Sequence, residues 1–190
     1  MESASSRLDI VALAAEARSL RRRKFVKAHP GLFLLARPDD DGNDYDDDDE
    51  MEFDTVAVPL SGGDQQVVHE WLALPLLWPR DAAAGHRLSL GRAPGCDLVI
   101  RMSFVSKMHA YIELGADGAL SVGDHRSANG TRHNGRVIEP NERVPLAIGD
   151  WLKIGTLSLQ LVDAERLHRA LNSAAFAAWE VDVAASRGAG

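Results

Sequence analysis

Between residues 86 and 162 the chain alternates short apolar runs with turn residues: RLSLGR, DLVI, HAYIEL, ALSV, RVI, RVPL, WLKI and LSLQLV. Runs this short and this regularly spaced predict the strands of an all-β sandwich. The turn chemistry agrees. Ala116-Asp117-Gly118 separates two runs, Asn129-Gly130 and Asn134-Gly135 pair residues that tolerate the left-handed region, and Gly149-Asp150 precedes another run. The flanks follow other periods. Residues 8–20 (LDIVALAAEARSL) are rich in Ala and Leu at helical spacing, and Arg21, Arg22, Arg23 and Lys24 follow where a helix dipole favours cations. Residues 1–28 are therefore expected to hold one helix with a solvated or partner-docking basic tail, ended by His29-Pro30-Gly31. Beyond Val162, Asp163 is placed to cap a C-terminal helix of roughly four turns ending near Trp179, with Leu167, Leu171, Ala174, Ala175 and Ala178 on one face, followed by a tail to residue 190.

Residues 29–85 lean towards strand. GLFLLARP reads as a short apolar strand, and FDTVAVPL and VVHEWLALPLLWP, separated by Gly62-Gly63, suit an extra hairpin laid against the main domain. The segment between them is different. Residues 39–54 hold eleven acids and no Lys or Arg, too little apolar surface to offset ordering entropy, and are expected to form a disordered acidic loop. The formal charge of -7 belongs to this loop, since the remaining 17 acids face 21 bases. An EF-hand is not supported there: Glu50 stands twelfth from Asp39, but the sixth position is Asp44 and the glycine is displaced to Gly42.

A chain of 190 residues with 45% hydrophobic content is expected to bury one good core and carry extensions. Its single cysteine, Cys96, excludes an internal disulfide framework and suits a reducing compartment, so a cytoplasmic location is expected. No apolar run approaches the roughly 20 residues that span a bilayer, and the N-terminal stretch lacks the pattern of a signal peptide. The six bases between Arg18 and Lys27, with few nearby aromatics, do not amount to a nucleic-acid site.

Five elements follow one another over about seventy residues. They are Gly91-Arg92 at a strand end, Ser106-Lys107-Met108-His109, Ser127-Ala128-Asn129-Gly130-Thr131, Asn134-Gly135, and the closing Leu146, Gly149-Asp150 and Ile154-Gly155. In order and spacing they resemble the signature of the forkhead-associated (FHA) domain, over residues 86–162. The resemblance implies a sandwich of two packed, mostly antiparallel sheets, eleven strands in all, whose loops at one end bind a phosphothreonine peptide; several of those strands must come from the weakly patterned flanks. It implies that Arg92 grips the phosphate, where a guanidinium presents paired permanent donors. Ser106 resembles the serine that donates from its hydroxyl and amide, Lys107 a basic contact, and Asn129 the asparagine that bonds the peptide main chain. Ala128 stands where a polar side chain is common, so only its amide is available to the phosphate. Gly91, His109, Gly130 and Asn134 resemble residues that structure the loops, His109 as a buried hydrogen-bonding tie. The resemblance implies that the loops Met102 to Val105 and Asp124 to Ala128 select the third residue after the phosphothreonine, where Phe104 suits an apolar and Arg126 an acidic side chain, and the sequence does not decide between them.

Catalysis is not expected. There is no G-x-S-x-G elbow, P-loop or H-E-x-x-H, Ser106 lies between strands although Ser106, His109 and Asp124 are the residue types of a hydrolase triad, and His125 and His133 sit in scattered loops rather than a zinc cluster. No metal or cofactor is implied. The expected role is an adaptor in serine/threonine kinase signalling that binds a phosphothreonine-containing protein, a kinase or its substrate, with neither nucleic acid nor membrane insertion. The alternative is a scaffold that uses the same fold for phosphorylation-independent binding.

Overall fold

The computed structural model describes residues 8–37 and 71–187. The acidic loop, the EF-hand comparison and FDTVAVPL fall outside these residues. Two helices, α1 (Ile10–Ser19) and α2 (Arg22–Ala28), precede strands β1 (Leu32–Ala36) and β2 (Leu72–Pro75). Then come β3 (Arg87–Gly91), β4 (Leu98–Val99), β5 (Ala110–Leu114), β6 (Leu120–Asp124), β7 (Thr131–His133) and β8 (Arg136–Val137). The chain continues through β9 (Val144–Leu146), β10 (Trp151–Ile154), β11 (Leu157–Asp163), α3 (Ala164–Leu171) and α4 (Ala174–Arg187).

The strands form a six-stranded sheet, β2-β1-β11-β10-β7-β8, and a five-stranded sheet, β4-β3-β5-β6-β9. Only the short β3–β4 pair is parallel among these pairings. The expected sandwich with flanking helices is therefore present, but β1 and β2 are integral to it. Leu34, Ala36, Leu72 and Leu74, with Leu152 of the same sheet, join Leu90, Ile112 and Val122 of the other sheet in the core between the sheets. On the other side of the same two strands, Phe33, Leu35, Trp71 and Ala73 join Leu13, Phe25, Leu167 and Phe176 in a second core beneath the helices. A strand covered on both faces has no reason to alternate polar with apolar positions, which explains the unbroken runs LFLLA and LALP. Strand β2 pairs with β1 through Leu34↔Leu74 and its neighbours, and the hairpin expected with FDTVAVPL lies outside the described residues.

The helices depart from the expected pattern in two places. The basic tail is itself helix α2, separated from α1 at Leu20 and Arg21. Phe25 explains this: it is 0% exposed and packs against His29, tilted, and His168, edge-on, at ring distances of 4.7 and 5.1 Å, so the segment is anchored while its arginines are exposed. The C-terminal helix is likewise two helices. Asn172 donates from its side chain to the His168 carbonyl, and the Ser173 hydroxyl accepts from the Phe176 amide to begin α4. This break resets the helical phase, so Phe176 becomes the buried residue and Ala174, Ala175 and Ala178 are exposed. Strand β7, which the apolar pattern did not mark, is recruited by pairing with β10 rather than by its own composition.

The helical layer is expected to be cooperative with the sandwich because Phe25 and Phe176 fill sites with no solvent access. Phe25→Ala or Phe176→Ala should each lower stability by about 3–5 kcal/mol, read as a shift in the urea midpoint at unchanged slope. A separate early transition of the helices would contradict a shared core.

Candidate functional site

Three loops meet at one end of the sandwich, joining β3 to β4, β4 to β5 and β6 to β7. The approach of the first two depends on Gly91. A Cβ at this position would lie 2.3 Å from the Lys107 carbonyl oxygen, so only glycine permits the strand end to pass beneath it. Beyond Gly91 the chains run side by side: the Arg92 amide donates to the Ser106 carbonyl at 3.0 Å and the Ala93 amide to the Lys107 carbonyl at 3.1 Å. The buried Cys96 thiol donates to that same Lys107 oxygen at 3.2 Å, and its pKa is raised by burial. Arg92 and Lys107 are thus held as exposed neighbours.

His109, at 0% exposure, ties the second loop to the third. The Ser106 amide donates to its Nδ1 at 3.0 Å, which makes Nε2 the protonated nitrogen, and Nε2 donates to the Gly130 carbonyl at 3.1 Å. Burial lowers the His109 pKa, outweighing the opposing effect of the Gly130 carbonyl. The neutral imidazole is the form that satisfies both bonds. Its own backbone is pinned as well, the amide to Leu90 and the carbonyl to the amide of His125.

The third loop is closed from within by Asp124, whose role the sequence reading did not assign. It accepts from the Ser127 amide at 2.8 Å, the Ser127 hydroxyl at 2.7 Å and the buried Thr131 hydroxyl at 2.6 Å. Burial alone would raise the Asp124 pKa; the hydrogen bonds from Thr131 and Ser127 prevail and lower it. An Asp followed three residues later by Ser127 was the available signal. This connectivity also separates the triad candidates: Ser106 meets His109 through its amide, and Asp124 bonds Ser127 and Thr131.

Several side chains sit differently from the roles the resemblance implies. The Ser106 amide is committed to His109, leaving the hydroxyl, and that hydroxyl oxygen accepts from the Ala128 amide at 3.0 Å. The two backbone donors assigned to a ligand are therefore spent on aligning Ser106. Asn129 donates from Nδ2 to the Phe104 carbonyl at 2.8 Å, linking the second and third loops while the residue stays exposed. Gly130 has φ of +69°, and no atom lies within 4 Å of a Cβ built there, so backbone conformation rather than space requires glycine. The Phe104 ring packs over Gly155, where a Cβ would stand 2.6 Å from its Cδ2, and joins the edge of the core. Arg126 is exposed with φ of 54°. Asn134 lies elsewhere: it bonds Asp150 at 2.9 Å and the Trp151 amide at 2.8 Å, bracing the β7–β8 turn at the other end of β7.

Residues 88–155 match the family model of the FHA domain. Among solved structures, the chain is similar to Rad53 1–466 in complex with AMP-PNP, with 30% identity and a TM-score of 0.43, covering 52% of this chain and 29% of that one. It is similar to the N-terminal FHA domain of S. cerevisiae Rad53p in complex with a phosphothreonine peptide, with 28% identity and a TM-score of 0.44 over 52% of this chain and 89% of that one. The FHA domain of the CT664 protein from Chlamydia trachomatis shares 22% identity over 70% of this chain and 98% of that one, with a TM-score of 0.42. No curated protein matches the chain.

A depressed folded-state pKa for His109 gives stability a definite pH dependence. Below its ordinary 6.5 the unfolded chain takes up a proton that the folded imidazole resists, so this contribution is full above that pH and declines as pH falls towards the folded value. Urea midpoints should therefore fall between pH 7.5 and about 5.5, and His109→Gln should be less stable at neutral pH with a shallower slope. An unchanged slope in the variant would assign the pH response to other groups.

Proposed function

We propose that the FHA domain carried at residues 88–155 reads phosphothreonine on a partner protein, with Arg92 as its principal phosphate contact. The observation that carries this reading is the pairing of 91–93 with 106–108, which presents the Arg92 guanidinium, the Ser106 hydroxyl and the Lys107 ammonium from one stapled ridge. Guanidinium, ammonium and hydroxyl supply complementary donors to a phosphate dianion, and charge-assisted bonds of this kind are the strong ones. Asn129, held by Phe104, retains its Oδ1 for the main chain of an extended peptide. In this reading His109, Gly91, Gly130 and the amides of Ser106 and Ala128 shape the surface without touching the ligand.

The module acts by recognition: a target is captured once a serine/threonine kinase has modified it, and the chain serves as an adaptor between that target and whatever engages its helical flank. A cytoplasmic site of action fits such a role. The phosphorylation-independent scaffold would leave Arg92, Ser106 and Lys107, brought together by the 91–93 and 106–108 pairing, without a role.

With a phosphothreonine peptide in a calorimetric titration, Arg92→Ala should weaken binding at least about tenfold, since each charge-assisted hydrogen bond contributes about 1.5–3 kcal/mol. The unphosphorylated peptide should bind neither protein. Equal binding of both peptides to both proteins would instead establish the scaffold.

A further inference from the structure

Beside the β6–β7 loop, the outer face of the five-stranded sheet holds a cleft of about 520 Å³ whose walls include Arg87, Tyr111, Arg126 and Arg143. Its floor is unusually well fixed. Tyr111 lies flat across Gly123, where a Cβ would stand 2.4 Å from the ring, and the Arg87 guanidinium stacks on that ring at 4.3 Å from its centroid. Arg87 donates to one oxygen of Glu113 at 2.6 Å and Arg143 to the other. Glu113 is only 8% exposed, whereas the side chains of Arg87 and Arg143 are each 53% exposed. One buried carboxylate therefore orients two guanidiniums that stay about half exposed.

The acid in the wall, Asp124, is buried and occupied by Ser127 and Thr131. What the cleft presents to a ligand is cationic: Arg87, Arg143 and Arg126, with His125 and Asn141 at its margin. Planar guanidiniums held in advance lose little freedom when an anion arrives, which favours recognition of a carboxylate or phosphate. The cleft also adjoins the ridge described above. Arg126 is two residues from Ala128, whose amide bonds Ser106, so the Cα atoms of Arg126 and Ala128 are at most about 7.6 Å apart.

We propose that this cleft is a second anion subsite, which takes an acidic or phosphorylated side chain of the same peptide within about four residues of the phosphothreonine, the reach of an extended chain at about 3.3 Å per residue. The proposal rests on the phosphothreonine reading and adds to it a determinant of selectivity outside the loop residue Phe104.

The test uses the full chain and synthetic peptides with one phosphothreonine and neutral flanks, varied by placing Asp or phosphoserine at each flanking position in turn. At one position, or two adjacent ones, the added anion should tighten binding by about tenfold, the gain expected of a specific charge-assisted contact. That gain should disappear in Arg143→Gln and return in part in Arg143→Lys, while the neutral-flank phosphopeptide binds all three proteins equally and thereby reports that the loops are intact. A gain from phosphoserine but not Asp identifies a second phosphate as the ligand, and a gain from both identifies anionic side chains generally. Three results would overturn the subsite: no position gives a gain, the gain survives in Arg143→Gln, or Arg143→Gln also loses the neutral-flank peptide. Absence of any phosphate-dependent binding would overturn the phosphothreonine reading itself, and the subsite with it.

Discussion

A neutral imidazole without solvent access holds the candidate site together. His109 accepts the Ser106 amide and donates to the Gly130 carbonyl, and each bond constrains a different loop. Removing either partner would leave a buried polar group unsatisfied, at a cost of about 1–3 kcal/mol, so the arrangement resists partial loosening. It also determines which donors are already taken. Amides that bind His109 and Ser106 are committed within the loops, while Arg92, Lys107 and Asn129 are exposed and Ser106 is partly exposed. The positive surface is thereby separated from the neutral scaffold that aims it.

Two further constraints make that tie effective. Gly91 lets the Lys107 carbonyl come within a distance no side chain would allow, and Asp124 draws Ser127 and Thr131 around itself so that the third loop has a fixed shape before any ligand binds. Beneath them the sandwich is rigid because β1 and β2 are buried on both faces, between the inter-sheet core and the helices. Preorganisation of this kind reduces the ordering cost of binding, which matters for a short extended peptide that itself loses much freedom.

Much of this was legible in the sequence because glycines, turn pairs and polar loop residues act through local geometry. Gly91, Ser106, His109 and Asn129 fall at spacings that reflect where strands end, and the runs of residues 86–162 appear as strands in the structure. What was hidden depends on contacts distant in sequence. Nothing local distinguishes a Ser106 amide that faces a ligand from one that faces a histidine three residues on. Strand β7 exists because β10 lies beside it, α2 because Phe25 finds a pocket on α3, and the break at Asn172 and Ser173 because two short polar side chains satisfy backbone groups that a continuous helix would have used. The turn at Asn134 was read correctly as a turn, yet its bracing acts through Asp150 and Trp151 rather than through the binding loops.

The central claim is that a preassembled, histidine-tied ridge meets phosphate through Arg92. Nitrogen-15 NMR of the full chain, titrated with a phosphothreonine peptide and then with its unphosphorylated counterpart, addresses it directly. The account predicts that the Arg92 Nε–H resonance moves only with the phosphorylated peptide, while His109 stays neutral, protonated on Nε2 and unchanged throughout. A His109 ring that changes tautomer or charge on binding, or an Arg92 signal that responds equally to both peptides, would contradict it.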